Sequence, residues 1–296
     1  MKYIIKIDYF ENFYFYLCTL ALPISPSQKI YQKSWLNDIK PLTNSQKFTL
    51  EKFKELLIKN KLLKYQFKAY YNYINHAVSC DVTSKKNQII FNKIFTSWNN
   101  NFSNFYKNEF PLLNQWKKLL NNQFKNDKLI QLILETLAIL YNTPIKNPAV
   151  NIFLLPSVKN YSSGAAIKID KKSPIIQLNI SHYPLNDKTH PLGILFHELI
   201  HAYYENPYFV NLIKKNFTQI DKINYLKEIT ASSLFPNGTM AEKYLNIQTK
   251  KLRINLSQKY TRPLLTLARE YLAEKKPFDS RYINKLYKII YSKKGK

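Results

Sequence analysis

Apolar residues recur at helical spacing through most of the first half of the chain. The clearest stripe has large apolar residues at offsets of 0, 1, 4, 7 and 8, namely Leu112, Leu113, Trp116, Leu119 and Leu120. These offsets place all of the side chains on one face of a helix. Similar spacing extends over residues 45–142, so this part of the chain is predicted to be helical.

A second and broader stripe begins just after Asp127, which is a residue type that often caps a helix N-terminus. Its apolar members are Ile130, Ile133, Leu134, Leu137 and Tyr141, and it is widened by Leu129 and Leu132. A helix that is apolar nearly all round belongs in the interior of a fold. We therefore expect this helix to be central, with Asp127 as its N-cap.

The spacing changes after Pro144 and Pro148. Three short runs rich in β-branched residues follow, at residues 150–155, 165–169 and 175–180. They predict three strands of a small sheet. Helical patterns then return in segments that begin near residue 190, at 190–205, 222–235, 239–249, 262–276 and 281–292. The pair Asn206-Pro207 is expected to end the first of these helices.

This order of elements predicts a helix-rich α+β fold in which a small mixed sheet precedes the helix at 190–205. The chain has 296 residues, enough for one large domain. We expect a helical N-terminal region, 1–145, and a second region, 146–296, joined in one compact unit. Only four glycines are present. This scarcity argues against an all-β sandwich and against a glycine-rich nucleotide loop.

The charge is strongly basic and unevenly placed. The chain carries 45 Lys+Arg and 19 Asp+Glu, a formal net charge of +26. Residues 1–150 have a net charge of +12, residues 151–250 only +4, and the last 46 residues +10. Such an excess suggests contact with nucleic acid or an anionic lipid surface. A/T-rich codons, which encode Lys, Asn, Ile, Tyr and Phe, are an alternative explanation.

The N-terminal segment and the two cysteines bear on compartment. Cys18 and Cys80 are far apart and lie in no metal-binding spacing, so we expect free thiols. Residues 12–28 carry no charge, but Asp8 and Glu11 are unlike the start of a secretory signal, and Pro23 interrupts the apolar run. We expect a buried strand-plus-helix start, no transmembrane segment and a cytoplasmic location, with secretion as the alternative.

The most specific chemical signal is an HExxH motif at His197, Glu198 and His201. Two histidines four residues apart on a helix lie on one face, so both ring nitrogens reach one metal ion. The glutamate between them faces the open side of that ion, where a water would lie. It can take the proton of this water during attack on a carbonyl.

This motif resembles that of the zincin metallopeptidases. In that family, a sheet whose edge strand binds extended peptide comes just before the HExxH helix, and the strand at 175–180 precedes the helix at 190–205 in the same way. The resemblance covers roughly residues 150–240. It implies a zincin-like fold, one zinc ion per chain held by His197 and His201, and hydrolysis of peptide bonds with Glu198 as general base.

The third metal ligand is expected to be a carboxylate. No histidine follows His201, and Tyr204 and Pro207 stand where the longer HExxHxxGxxH pattern has glycine and histidine. A carboxylate on a second helix is what the Glu-type zincins (gluzincins) have. The acidic residues near enough along the chain are Glu205, Asp221, Glu228 and Glu242.

Glu228 is the preferred ligand among these. It shares a helix face with Ala231 and Ser232, and such small residues let two helices approach closely. The resemblance supports the same position, because an E-x-x-A pattern is typical of the Glu-type zincins.

Each of the other acids has a different expected role. Asp221 suits the N-cap of the second helix and is the runner-up ligand. Glu205 lies one turn beyond His201 on the same helix, where it would orient a ligand rather than bind the ion. Glu242 forms a candidate capping box with Thr239.

A donor that stabilises the transition state should complete such a site. The tyrosines and histidine considered for it are Tyr203, Tyr204, Tyr260 and His182. Residues 162–166 are a candidate for the place where the sheet edge meets substrate, or else a turn.

Two functions follow as hypotheses. One is a zinc-dependent peptidase that acts on peptides or proteins. The other is a zincin-like binding protein without activity, whose basic termini contact nucleic acid or an anionic membrane.

Overall fold

A computed structural model of the chain describes residues 2–39, 41–59, 85–126, 128–144, 149–167, 175–248, 252 and 257–291. Helices dominate the part before the sheet. After a first strand, β1 (Lys2–Lys6), they are α1 (Tyr9–Ala21), α2 (Pro26–Ile39), α3 (Asn44–Lys59), α4 (Lys85–Asn126) and α5 (Lys128–Leu140). The strand-plus-helix start is therefore as predicted.

The second half contains the other strands and a further series of helices. The strands are β2 (Ala149–Leu155), β3 (Ser163–Ile167) and β4 (Ile175–Asn179). The helices are α6 (Thr189–Leu199), α7 (Pro207–Asn216), α8 (Ile220–Leu234), α9 (Thr239–Leu245), α10 (Thr261–Glu274) and α11 (Ser280–Tyr291). A π-helical turn, Ile200–Tyr204, continues α6, and a 3₁₀ turn, Gln258–Tyr260, leads into α10.

The strands form one mixed sheet in the order β1-β2-β4-β3. Strands β1, β2 and β4 are parallel, whereas β3 runs antiparallel to β4 and lies at the edge. Helix-rich α+β architecture with a small mixed sheet is thus confirmed. The sequence predicted three strands of this sheet, and β1 adds a fourth from the other end of the chain.

Two apolar clusters pack around the sheet, and α4 belongs to both. Trp98 and Phe102, early in α4, lie in the cluster formed with α1, α2 and α3. Trp116 and Leu120, late in α4, lie in the cluster formed by one face of the sheet, α5, α6 and the C-terminal helices. This long helix therefore connects the N-terminal helices to the layer that contains the HExxH motif.

Several local predictions need correction. Leu129 and Leu132 do not widen the buried face of α5, because they are 36% and 47% exposed. Helix α7 was not predicted, since Pro207 was taken as a stop. It is instead the first helical residue, and the Asn206 side chain accepts a hydrogen bond from the Phe209 N–H at 2.9 Å. Proline is tolerated there because that N–H has no partner within the helix.

Two predicted caps are also wrong by one or two positions. Helix α8 is capped at Gln219, so Asp221 lies inside its first turn, and α9 is capped at Gly238 rather than Thr239.

The predicted cap Asp127, Cys80 and residues 168–169 of the second strand lie outside the described residues. Cys18 is buried and forms no disulfide. Among the described residues, no helix is both long enough and apolar enough to cross a membrane.

Candidate metal centre

The HExxH segment forms the end of α6 and the start of the π-helical turn. Helix α6 is almost entirely buried, as expected from its apolar sequence. Before it, the Asp187 carboxylate accepts hydrogen bonds from the Thr189 hydroxyl and the His190 N–H, at 3.0 and 3.2 Å. The strand β4 and the short loop after it lead directly into this start, so the sheet and the helix are fixed relative to each other.

His197, His201 and Glu228 come together where α6 meets α8. The Nε2 atoms of the two histidines are 3.1 Å apart. Glu228 Oε1 lies 3.3 Å from His197 Nε2, and Glu228 Oε2 lies 3.1 Å from His201 Nε2. Within the described part of the chain, these three residues are the group of possible ligands close enough to hold one metal ion.

The distances suit a small tetrahedral ion. Around zinc, with bonds of about 2.0–2.1 Å, neighbouring ligand atoms of a tetrahedron lie about 3.3 Å apart. The two Nε2 atoms are 3.1 Å apart, and each has one of the two Glu228 oxygens, a different one, 3.1–3.3 Å away. Two imidazole nitrogens and one carboxylate form a donor set that zinc commonly takes.

The other ring nitrogen of each histidine is held by an acceptor. His197 Nδ1 donates to the Phe235 carbonyl at 2.9 Å, and His201 Nδ1 donates to Glu205 Oε1 at 2.8 Å. We assign the Nδ1 protons from these partners, which leaves both Nε2 lone pairs facing the Glu228 carboxylate. Three acceptors that converge in this way repel one another unless a cation or protons lie between them.

Protons would compete with a metal ion for the position between the two Nε2 atoms and the Glu228 carboxylate. Burial opposes a charge on His201, but hydrogen bonds with Glu205 and Glu228 outweigh it and raise its pKa to about 10. Burial also opposes ionisation of Glu228, and the two histidines reverse this, so the pKa of Glu228 lies well below its usual range. Glu228 therefore supplies the negative charge that attracts any cation to the site.

Glu205 and Lys227 extend the site behind His201. The Glu205 side chain is 1% exposed, and its Oε2 lies 2.6 Å from Lys227 Nζ. Lys227 precedes Glu228 on α8, so this one helix supplies a candidate ligand and also the partner of the carboxylate that holds His201 Nδ1. The sequence predicted an orienting role for Glu205 but gave no signal for Lys227.

Small residues allow α8 to approach, as the sequence predicted. Ala231 and Ser232 are fully buried. The Ser232 hydroxyl donates to Glu228 Oε1 at 3.3 Å. This bond helps to fix the carboxylate that faces the histidines.

Glu198 lies against the edge strand. A β-carbon on Gly164 would stand 2.6 Å from Glu198 Cγ, so only glycine lets β3 and α6 come this close. The Ala166 N–H donates a hydrogen bond to the Glu198 carboxylate. Burial raises the pKa of Glu198 above its usual value, although the charges of His197 and His201 partly offset this. Residues 162–166 are thus mostly strand rather than turn.

A second glycine fixes the segment that holds His197. A β-carbon on Gly193 would lie 2.6 Å from the Pro236 carbonyl oxygen. This close packing of α6 against residues 235–236 keeps the Phe235 carbonyl on His197. The sequence offered no signal for a main-chain partner of this kind.

The remaining candidates lie elsewhere or stay open. Asp221 is not part of the metal-binding group, and Glu242 pairs with Arg269 at 2.7 Å. Tyr204 donates to the Leu134 carbonyl at 3.1 Å, which directs its hydroxyl into the core. His182 lies 2.7 Å from Glu109 Oε1.

Two tyrosines remain as possible donors to the transition state. Tyr203 packs edge-on against Tyr204, and Lys259 lies over the Tyr260 ring. Neither contact assigns the donor.

No protein-family model, curated protein or solved structure matches this chain. The likeness to the zincins therefore stays a prediction that rests on the motif residues and their spacing.

Proposed function

We propose that this chain is a zinc-dependent peptidase in which Glu198 is the general base. The observation that supports the proposal best is the convergence of His197, His201 and Glu228: the two Nε2 atoms lie 3.1 Å apart, and each has a Glu228 oxygen within 3.1–3.3 Å. Zinc is favoured because two imidazoles and one carboxylate suit it and leave a fourth position open. A zinc ion held there would act as a Lewis acid and lower the pKa of a water molecule.

Glu198 would move the proton in this reaction. It follows His197 directly and is held between Gly164 and the Ala166 N–H. From there its carboxylate takes a proton from the attacking water and passes it to the leaving amine nitrogen as the C–N bond breaks. The chain has only 19 Asp+Glu, so the presence of a glutamate directly after His197 supports the proposal more strongly than it would in an acidic protein.

The substrate would lie along β3. In an antiparallel strand, the backbone N–H and C=O groups of successive residues point alternately toward the neighbouring strand and away from it. The Ala166 N–H donates to Glu198 and so points away from β4. Gly164, two residues earlier, points its N–H and C=O in the same direction. These groups face away from the sheet. An extended peptide that adds a strand at this edge would pass directly over Glu198.

The decisive experiment combines metal analysis with Glu198→Gln. Purified wild-type protein should contain about one zinc ion per chain and cleave an unfolded protein substrate, with cleavage lost on chelation. Glu198→Gln should keep the zinc but lose roughly 100- to 10,000-fold in cleavage rate, the usual contribution of a general base.

Glu242→Gln serves as the matched control, because Glu242 pairs with Arg269 away from the ligands. It should behave as wild type in both measurements. Metal-free wild-type protein, or unaltered cleavage by Glu198→Gln, would contradict the proposal.

A further inference from the structure

A surface groove of about 540 Å³ lies between α10 and α11. The two helices pack on each other and on the core through buried leucines, among them Leu264 of α10 and Leu286 of α11. The floor of the groove is apolar and is formed by Pro263, Leu267 and Ile289. The groove is therefore part of the folded surface and is fixed by the packing beneath it.

The charged side chains that line this groove are mostly basic. Arg262 lies on α10, Lys285 and Lys288 lie on α11, and the acid is Glu270 of α10. Three positive charges and one negative charge leave a net charge of +2. Lys285 Nζ lies 2.7 Å from Glu270 Oε2, so the negative charge already has a partner, whereas Arg262 forms no ion pair with any residue of the described ranges.

The other acids of this region are also engaged. Residues 257–291 contain eight Lys+Arg and three Asp+Glu, and Glu270 is one of the three. Glu274 pairs with Lys276. Asp279 accepts a hydrogen bond from the Tyr271 hydroxyl at 2.6 Å. The basic charge of this region thus exceeds what its own acids can balance.

The ionisation of Glu270 reflects the same excess. The hydrogen bond from Lys285 holds the pKa of Glu270 below its usual value, and the charges of Lys285, Arg281 and Lys276 act in the same direction. The potential at the groove is therefore positive, and an anion is the ligand that it favours.

The bases of α11 form a row along the groove. Arg281, Lys285 and Lys288 are four and three residues apart, which puts them on one face of the helix with neighbouring β-carbons about 5–6 Å apart. Arg281 and Lys288 are exposed. Arg262 lies on the other helix that borders the groove. A row of bases suits a polymer with regularly repeated negative charges better than it suits one small anion.

A lipid surface is the other large anionic partner to consider. Helices that lie on a membrane insert large apolar side chains beside their bases. None of the described large apolar side chains in residues 257–291 is exposed. Tyr287 is used within the fold, because its ring stacks on Phe217 with centroids 4.6 Å apart. These observations favour a nucleic acid over a membrane.

We propose that the groove between α10 and α11 binds the sugar–phosphate backbone of a nucleic acid. Arg262 and Lys288 donate to phosphate oxygens, Arg281 and Lys285 extend the contact along α11, and the apolar floor meets the sugars. Contacts of this kind position a protein on nucleic acid without reading its sequence. Binding should therefore be independent of sequence.

Fluorescence anisotropy of the full chain with a short labelled DNA duplex, at several salt concentrations, tests this proposal. Affinity should fall steeply as salt rises, because each phosphate contact releases counterions. The double variant Arg262→Gln/Lys288→Gln should bind at least about 10-fold more weakly, as expected for the loss of two hydrogen bonds to charged groups. Its slope of log affinity against log salt should be smaller by about two, roughly one for each lost contact.

A matched control separates the groove from the charge of the whole chain. Lys118→Gln/Lys125→Gln removes the same charge from two exposed residues of α4, which do not line the groove. It should keep the affinity and the salt slope close to those of wild type. Equal losses in the two double variants would overturn the proposal.

Glu270→Gln changes the groove in the opposite direction. It removes the acid of the groove and releases Lys285 from its ion pair, so nucleic-acid binding should become several-fold tighter. A loss of folding would not produce this gain. Weaker binding by Glu270→Gln contradicts the proposal.

Further probes distinguish the anions. Single-stranded RNA shares the phosphate chemistry of DNA, and comparison with the duplex shows which nucleic acid is preferred. Vesicles of phosphatidylserine and phosphatidylcholine represent a lipid surface, and polyglutamate represents an acidic protein. Tighter binding of either than of both nucleic acids, or no binding of nucleic acid, overturns the proposal.

The groove does not depend on the metal centre. Glu198→Gln and zinc-free protein should bind the DNA duplex as wild type does. Failure of the peptidase proposal would therefore leave this one standing, and the reverse also holds.

Discussion

A β-carbon on Gly164 would stand 2.6 Å from Cγ of Glu198, so the edge strand and the HExxH helix meet where no other residue fits. Ile194 Cγ2 would be only 2.8 Å away on the other side. The Glu198 carboxylate is therefore positioned by two elements, its own helix α6 and the strand β3, which lies about thirty residues earlier in the chain.

Gly164→Ala should reduce cleavage while zinc stays bound. The added methyl group must push Glu198 or the strand aside, because it would lie 2.6 Å from Glu198 Cγ and 2.8 Å from Ile194 Cγ2. The atoms nearest to the added methyl group belong to Glu198 and Ile194 rather than to a candidate metal ligand, so zinc content should equal that of wild type. Peptidase rate and metal analysis on the same preparation check this.

Ala165→Ser is the matched control for this substitution. Side chains alternate along a strand, so Ala165 points to the opposite face and is exposed. It should retain activity. Full activity in Gly164→Ala would show that Glu198 is not held in place by this contact.

Glu228→Gln should weaken zinc binding far more than Asp221→Asn. A neutral amide is a poor substitute for a carboxylate ligand, and the loss should exceed the roughly 10- to 100-fold typical of outer-shell changes. Asp221 lies on the same helix but outside the metal-binding group. Zinc titration against a chromogenic chelator measures both affinities. Equal affinities in the two variants would remove Glu228 from the ligand set.

The sequence predicted the parts of the site that depend on local spacing. His197 and His201 lie on one helix face because they are four residues apart, and this follows from helix geometry alone. Glu228 was reached because small residues beside it allow two helices to pack closely. Its approach to the histidines is a tertiary contact, so the sequence could suggest it but could not fix the distance.

Partners supplied by distant or main-chain atoms were out of reach of sequence patterns. The acceptor of His197 Nδ1 is the main-chain carbonyl of Phe235, which any residue type would supply, so no sequence pattern marks it. Lys227 has the sequence context of an ordinary helical surface lysine. Pairing of β1 with β2 joins residues about 147 positions apart, and nothing local specifies it. For Leu129 and Leu132 the sequence pattern predicted burial, but both side chains are exposed, since apolar residues on a helix are not always buried.

Glu205→Gln should lower zinc affinity by about 10- to 100-fold without removing a ligand. The glutamine can still accept from His201 Nδ1, but it loses the charge that makes the ring a stronger donor to the ion. It also leaves Lys227 without its partner at 2.6 Å. Zinc titration is again the measurement.

A double-mutant cycle with Lys227→Met tests the coupling between these two residues. Lys227→Met alone leaves Glu205 Oε2 without its partner, while His201 Nδ1 still donates to Oε1, and should destabilise the fold by about 1–3 kcal/mol. The double variant should recover part of that loss. Additive effects on the free energy of unfolding would mean that the Glu205–Lys227 contact is not coupled.

Glu11→Gln should stabilise the protein at neutral pH and flatten its dependence on pH. Glu11 is 2% exposed in the first turn of α1, and burial raises its pKa well above 4.5, against the hydrogen bond donated by Gln177. Above pH 4.5 the unfolded chain releases this proton while the folded chain keeps it. The free energy of unfolding should therefore fall as pH rises, by up to about 1.4 kcal/mol per unit until the folded pKa is passed.

Urea unfolding of wild type and Glu11→Gln between pH 5 and 8 measures this effect. The amide oxygen of the variant can still accept from Gln177 Nε2, which lies 2.7 Å from Glu11 Oε1, and it has no proton to lose. The difference between the two curves should widen with pH, whereas Glu135→Gln should run parallel to wild type. A constant difference for Glu11→Gln would mean that Glu11 is already ionised in the folded protein, and that the buried pair with Gln177 tolerates the charge.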